Sequence, residues 1–301
     1  MEFLLQKAVF EKSKADFFIK LYIGLSSEDK QLLEKLRTRY MNENIQGDVD
    51  EIMAELSTLA DKYGYDRKSF YMLLLAYSLP YLKEKYKQMD YGEDMYFEIS
   101  KDLKYKLDEC KTVYGILGVA LLYWHKNIFT CKIFSLGRFQ YHEDPFFADT
   151  YTFGDITVKS GDTVCRFHIP SSGPMTREMR MASYKRAFDF FGKKKGEYLV
   201  ITCNSWLLDP LLENVYPKNS NLYDFLKDFD LIERVEPTQV FSNCWRVFGV
   251  DYKGSTENLR SETSLQKNFI KWLDEGNSVG NGKGVIIFDG EKIVNNNRQN
   301  F

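Results

Sequence analysis

Near Trp124 to Ile128 the hydrophobic pattern of this chain changes period, and that change limits the fold more than any other feature. Before it, apolar residues recur at helical spacing; after it, they alternate as in strands with one buried face. Neither half can take the other's structure without turning its apolar set to solvent. The reading is a helical domain over 1–126, then a mixed β-sheet domain with flanking helices over 127–301. The fold class is α+β or mixed α/β.

In the first part, SSEDKQLLEKLRTRYM opens with Ser26 or Ser27 as N-cap and acidic residues in its first turn, which suits the helix dipole. VDEIMAELSTLADKYG places Ile52, Leu56 and Leu59 on one face and stops at Gly64. DRKSFYMLLLAYSLPYLKEKYKQM starts at Asp66, and Pro80 inside it is expected to kink or divide it. ISKDLKYKLDECKTVYGILGVALLYWHK reads as one or two more helices, the second nearly all apolar and therefore buried.

In the second part, NIFTCKIFSLGRFQYH, DITVKSGDTVCRFHI, EYLVITCN, DLIERVE and CWRVFGV read as strands. The Lys-Ser-Gly-Asp turn at 159–162 is expected to fold the second of these into a hairpin. Helices are expected over 176–192, 220–229 and 263–275. GNGKGVIIFDGEKIV closes with a hairpin whose Asp289-Gly290 turn favours type I′ geometry.

Charge narrows the partners. With 41 basic and 43 acidic residues the net charge is -2, which gives no support for nucleic acid or a polybasic membrane contact. The five cysteines are widely spaced with no CxxC pair, which suits buried thiols in a reducing compartment. MEFLLQKAVFEKSKADFF carries charges through its apolar stretch and no small-residue cleavage site, so it does not read as a signal peptide. The longest apolar run, near VYGILGVALLYW, is far short of a bilayer span. The expectation is a soluble, cytoplasmic protein.

HIPSSGPMTREM, residues 168–179, interrupts the pattern between a strand and a helix. The first turn of a helix leaves backbone N–H groups unpaired and carries about half a positive charge, so it attracts phosphate. Ser171, Ser172, Gly173 and Thr176 could supply donors there, whereas Pro170 and Pro174 have no N–H to give. The alternative is a capped turn and nothing more, begun by Pro174 or Thr176.

In GRFQYHEDPFF, residues 137–147, Arg138, Gln140 and His142 share one strand face and Phe139, Tyr141 and Glu143 the other. Glu143 or His142 is placed to act as a general base, and a solvated strand face is the alternative. In ITCNSWLLDPLL, Asn204 either orients a substrate amide or carbonyl, or caps the local turn. Tyr223, in NLYDFLKDF, is a candidate proton donor or plain core packing. His125, His142 and His168 lack metal-ligand spacing, and no metal is expected. GxSxG, HExxH, P-loop and Rossmann fingerprints are absent.

The strand order and the 168–179 turn together resemble the GNAT superfamily of N-acetyltransferases. In that fold a meander leads to a strand, a loop and a helix that cradle the pyrophosphate of acyl-CoA. A splayed strand, a short helix and two last strands follow. DTVCRFHIP would be the first strand, SSGPMTREMRMASYKRAFDFF the loop and helix, and EYLVITCN the splayed strand, with DLIERVE and CWRVFGV as the last pair. More narrowly, RFQYH, HIPSSGPMT and CNSWLLDP look like a bacterial acyltransferase-like family. Its members join an N-acyltransferase N-terminal helical domain to a GNAT-like C-terminal domain.

The resemblance implies acetyl-CoA or a longer acyl-CoA as co-substrate and a small-molecule amine or hydroxyl acceptor that attacks the thioester directly. Pyrophosphate would lie on Ser171, Ser172, Gly173, Met175 and Thr176, and pantetheine along the strand of Phe167 and Ile169. Arg138, Gln140 and Asn204 would contact substrate, with Glu143 or His142 as base and Tyr223 as acid. The superfamily's loop usually reads Arg/Gln-x-x-Gly-x-Gly/Ala. Here Pro170-Ser-Ser-Gly173-Pro-Met175 keeps only the central glycine. A ligand-binding or scaffold module on the same frame is the alternative to an enzyme.

Overall fold

A computed structural model describes residues 10–42 and 48–295. The first nine residues, part of the stretch read as lacking a signal peptide, lie outside the described residues. The chain forms two compact units, Met1–Ser135 and Leu136–Phe301.

The first unit is helical: α1 (Lys12–Ile23), α2 (Ser27–Tyr40), α3 (Asp48–Tyr63), α4 (Arg67–Gln88), α5 (Glu93–Tyr114) and α6 (Tyr123–Phe129). Ser26 caps α2 by accepting from the Asp29 N–H at 3.2 Å, and Asp66 caps α4. Ile52, Leu56 and Leu59 are buried along α3, which runs out at Gly64 with φ +72°. α4 buries every residue from Ser69 to Ala76, so it has no solvent face there and forms the axis against which the other helices pack. That surrounding keeps α4 continuous: Pro80 removes one backbone donor but does not divide the helix as expected. The apolar stretch after Gly115 is a second departure. Gly115 ends α5 in the left-handed conformation, and 116–122 is irregular rather than a buried helix, with Leu121 54% exposed. No helix among the described residues is long and apolar enough to cross a membrane.

From Phe134 onward the chain forms a six-stranded sheet in the order β1-β2-β5-β6-β8-β7 and a separate two-stranded sheet, β3-β4. The strands are β1 (Phe134–Leu136), β2 (Phe139–Pro145), β3 (Thr150–Phe153), β4 (Ile156–Lys159), β5 (Thr163–His168), β6 (Leu199–Ser205), β7 (Asp230–Val235) and β8 (Asn281–Phe288). Interleaved are α7 (Arg177–Phe190), α8 (Asn221–Leu226), α9 (Cys244–Phe248) and α10 (Ser264–Asp274). One sheet face packs on α7 and α8 through rings: Phe139 lies 4.4 Å from Phe167 and 5.7 Å from Tyr184, and Phe167 meets Phe225 and Phe229. The β3–β4 sheet helps cover the other, where Tyr151 and Val158 pack with Val164, Val285 and Ile287.

Three strand expectations are corrected. The turn at 159–162 forms, with the Lys159 N–H donating to Asp162 at 2.8 Å, but it is a corner between sheets: β4 pairs β3, and β5 pairs β2. CWRVFGV is the helix α9, closed by Gly249 at φ +75°, so the strand beside β7 is β8 instead. Its apolar residues Cys244 and Phe248 stand four apart, a spacing that fits one helical turn as well as strand alternation. At 289–292 Gly290 alone has positive φ, so the turn is not type I′, and beyond it only Ile293 bridges back to Phe288.

Candidate functional site

The parallel strands β5 and β6 share only two rungs, Cys165↔Ile201 and Arg166↔Thr202. Each follows its other neighbour instead. β5 runs with β2 as far as His168, and β6 runs with β8 through Ser205. Past the second rung they part, and the backbone edges at 167–169 and 203–205 have no rung to each other. A cavity of about 740 Å³ opens in the gap, walled by Phe167, Ile169, Met175, Trp206, Leu222 and Leu265.

Its floor depends on close backbone approach. Ser205 and Asp209 cap the two short 3-10 turns after β6. Asp209, fully buried, also accepts from Arg234 and from the Gly280 N–H. A Cβ on Gly282, opposite Ser205, would stand 1.8 Å from the Leu208 carbonyl oxygen, so only glycine fits. Because Ser205 and Asp209 do the capping, Asn204 does not. It is exposed and lines the cavity.

At the rim lies the 168–176 loop. Thr176 caps α7, accepting from the Met179 N–H at 3.4 Å, and Gly173 sits at φ +101° with nothing within 4 Å of where a Cβ would be. The Arg138 guanidinium, 6% exposed, donates to the carbonyls of Pro170, Gly173 and Pro174, each at 3.0 Å. Arg180, fully buried, donates to the Met175 carbonyl at 2.8 Å and to Asp224 and Asp228, each at 2.6 Å. Two guanidiniums thus engage four loop carbonyls, the negative ends of the peptide dipoles, which eases the approach of an anion to the helix start. From α9, Arg246 also lines the cavity and donates to Ser171 Oγ at 3.0 Å. Ser172 Oγ is buried without a hydrogen-bond partner.

Phe167, Ile169, Ser171, Gly173, Met175, Arg138 and Asn204 all line this cavity. Arg138 does so as a brace of the loop. Ser172 and Thr176 belong to the loop without lining the cavity. Gln140 is buried opposite His168 in the β2–β5 register. Glu143 is exposed, pairs in register with Cys165, and shares the face of Tyr141, whose hydroxyl meets Ser183 of α7. Tyr223 is buried, with its hydroxyl between Lys218 Nζ at 3.2 Å and Glu213 Oε1 at 3.3 Å. Neither Glu143 nor Tyr223 lines the cavity.

Two further residues stand out. His168 lines the cavity, with its Nε2 2.9 Å from Nε2 of His142. Arg246 was hidden in a segment that alternates like a strand. Burial lowers the pKa of His142 below the usual histidine value, and the Arg166–Asp144 pair, 2.7 Å apart, flanks it. Cys203 also lines the cavity, but burial pushes its thiol up to about 12, so it offers no thiolate at neutral pH. No cluster of three or more His, Cys, Asp or Glu among the described residues is arranged to hold a metal ion.

Residues 5–131 match the family model described as the N-acyltransferase N-terminal domain, and residues 133–286 match that of the GNAT-like C-terminal domain. No curated protein sequence matches the chain. Among solved structures, an acyltransferase in complex with decanoyl-CoA and teicoplanin is similar at TM-score 0.69 and 18% identity, over 95% of this chain and 86% of that one. An acyltransferase with decanoyl-CoA gives TM-score 0.68 and 20% identity over 95% and 86% of the two chains. One with CoA and 10C-teicoplanin gives 0.69 and 18% over 94% and 85%. At these identities the likeness is one of fold.

Proposed function

Because the chain belongs to the family that joins an N-acyltransferase N-terminal domain to a GNAT-like C-terminal domain, we propose that it is an acyl-CoA-dependent acyltransferase. The acceptor is a small-molecule amine or hydroxyl that attacks the thioester directly. The observation that carries this reading is the two-rung pairing of β5 and β6, which opens into a cavity beside a glycine loop and a helix start. The parted strand edges suit the amides of pantetheine, which can complete a ladder that the protein leaves open. The start of α7 and Arg246 suit the pyrophosphate. The similar acyltransferases crystallised with CoA and decanoyl-CoA support the same co-substrate here.

His168 takes the role of general base. As the acceptor nitrogen or oxygen bonds to the thioester carbonyl and the C–S bond breaks, the acceptor's proton passes to the imidazole, and the departing thiolate is protonated in turn. His168 lines the cavity, whereas Glu143 is exposed outside it. The two prolines without N–H groups are the one feature that favours a binding module instead, and Arg138, Arg180 and Arg246 offset them.

The test is release of CoA thiol from acetyl-, octanoyl- and decanoyl-CoA across a panel of amines and alcohols, read with a thiol reagent. All five cysteines are buried, which keeps the background low. Acceptor-dependent release is expected. Tight binding of acyl-CoA without release on any acceptor favours the module.

A further inference from the structure

The turn between α4 and α5 walls a second cavity, of about 420 Å³, lined wholly by residues within 80–96 of the helical unit. It shares no residue with the cavity between β5 and β6. The volume suits a small molecule. Asp90, at φ +56°, closes α4, and the Tyr91 N–H returns to the Tyr86 carbonyl at 2.9 Å. That reversal brings Tyr91 and Asp90 to a cavity already lined by Tyr86 and Tyr96. Tyr86 meets Tyr91 and Tyr96 edge to face, with ring centroids 5.6 and 6.2 Å apart.

Tyr86 stands apart from Tyr96. It is 1% exposed, and its hydroxyl has no hydrogen-bond partner among the described residues. The Tyr96 hydroxyl, also buried, donates to the Leu79 carbonyl at 3.2 Å. Burial raises the pKa of Tyr86 above the usual phenol value, so the group stays an O–H at working pH. A buried phenol ordinarily finds a partner, and leaving it unmet costs stability. Charge says what else that partner carries. Glu84, Asp90 and Glu93 line the cavity against Lys83 and Lys87, and Glu93 already engages Lys83 at 2.5 Å. Two carboxylates are then left to one ammonium, and tyrosine faces attract cations. The start of α5 does not reverse this preference, because Glu93 and Asp94 stand in its first turn.

We propose that this cavity is a binding site of the helical domain for a small organic amine that also carries an oxygen. The ammonium lies against the tyrosine faces beside Glu84 and Asp90, and the oxygen accepts from the Tyr86 hydroxyl. The site does not depend on acyl transfer.

The experiment is calorimetric titration of the whole protein with three probes of similar size: tyramine, phenethylamine, which lacks the oxygen, and 4-ethylphenol, which lacks the amine. Tyramine should bind most tightly, with each of the others weaker by about tenfold. Tyr86→Phe should bring tyramine down to the level of phenethylamine. By removing an unmet polar group it should also raise the thermal midpoint of the ligand-free protein. Asp90→Asn keeps a residue suited to positive φ. It should weaken both amines by about threefold and leave 4-ethylphenol unchanged. The site is refuted if no probe binds at millimolar concentration, or if tyramine binds no more tightly than 4-ethylphenol. A lower thermal midpoint in Tyr86→Phe would also refute it, because the hydroxyl would then have a partner already. So would tyramine binding that neither variant alters, since the amine would then lie elsewhere on the molecule.

Discussion

Nη2 of Arg138 donates to the Gly173 carbonyl at 3.0 Å, tying the turn just before β2 to the glycine of the rim loop. The same guanidinium holds the carbonyls of Pro170 and Pro174. A loop with two prolines has few backbone donors of its own, so its shape depends on this brace. Arg138→Met should free three carbonyls, lower thermal stability and weaken acyl-CoA binding by about tenfold, roughly 1.4 kcal/mol. Arg138→Lys should recover little, because an ammonium cannot reproduce the planar fork. Calorimetric titration of both variants checks this.

Arg246 brings the one cationic group that α9 sets beside Ser171. Arg246→Ala should weaken acyl-CoA by about tenfold and flatten the salt dependence of binding, since a charge partly open to solvent acts through a screened field. Titrations at low and high ionic strength read both effects. A variant as salt-sensitive as the parent would place the phosphates elsewhere.

Glu143 and His168 are the two proton acceptors to be separated. Glu143→Gln should keep the single-turnover rate with a productive acceptor, whereas His168→Gln should lose about a hundredfold or more. The reverse order would move the chemistry to the α7 face of the sheet.

Acid should reveal the half-buried ring of His142. Burial lowers the folded-state pKa of His142, so as pH falls the unfolded chain takes its proton first, from about pH 6.5 downward. The stability that this residue withholds from acid conditions is fully present above that value and lost as pH drops through the folded pKa. The urea midpoint should therefore fall less between pH 7.5 and 5.5 in His142→Gln than in the parent.

The period change near residue 126 made the helical unit, β5, α7 and β6 legible, because each buries a regular face. Local chemistry likewise pointed to Asp66 and narrowed two other helix starts to Ser26 or Ser27 and to Pro174 or Thr176, where the caps are Ser26, Asp66 and Thr176. What stayed hidden depends on distant partners. The splay of β5 from β6 follows from their different neighbours, β2 and β8, which no local pattern specifies. Strand alternation gave Arg138 a face, while the loop carbonyls it braces lie 32 to 36 residues further along the chain. The 159–162 turn was visible, while its change of sheet was not. Cys244 to Phe248 satisfied two periods at once, and the helix that formed there carries Arg246 to the rim. His142 and Glu143 were read as alternatives by face. The neighbour that distinguishes them, His168, comes from another strand.

The most direct test of the account is thermal stabilisation by acyl-CoA in three proteins: the parent, Gly173→Ala and Gly173→Glu. Any Cβ at φ +101° is strained, by roughly 1–3 kcal/mol, so the alanine variant controls for backbone cost, and the Cβ that both variants add meets nothing within 4 Å. Only glutamate adds bulk and like charge beside a pyrophosphate. At about 100 times the dissociation constant, the parent should gain about 2.7 kcal/mol. Gly173→Ala should keep most of that gain and Gly173→Glu should lose it. Equal stabilisation of all three, or none in the parent at any acyl length, would contradict the placement of acyl-CoA in the cleft between β5 and β6.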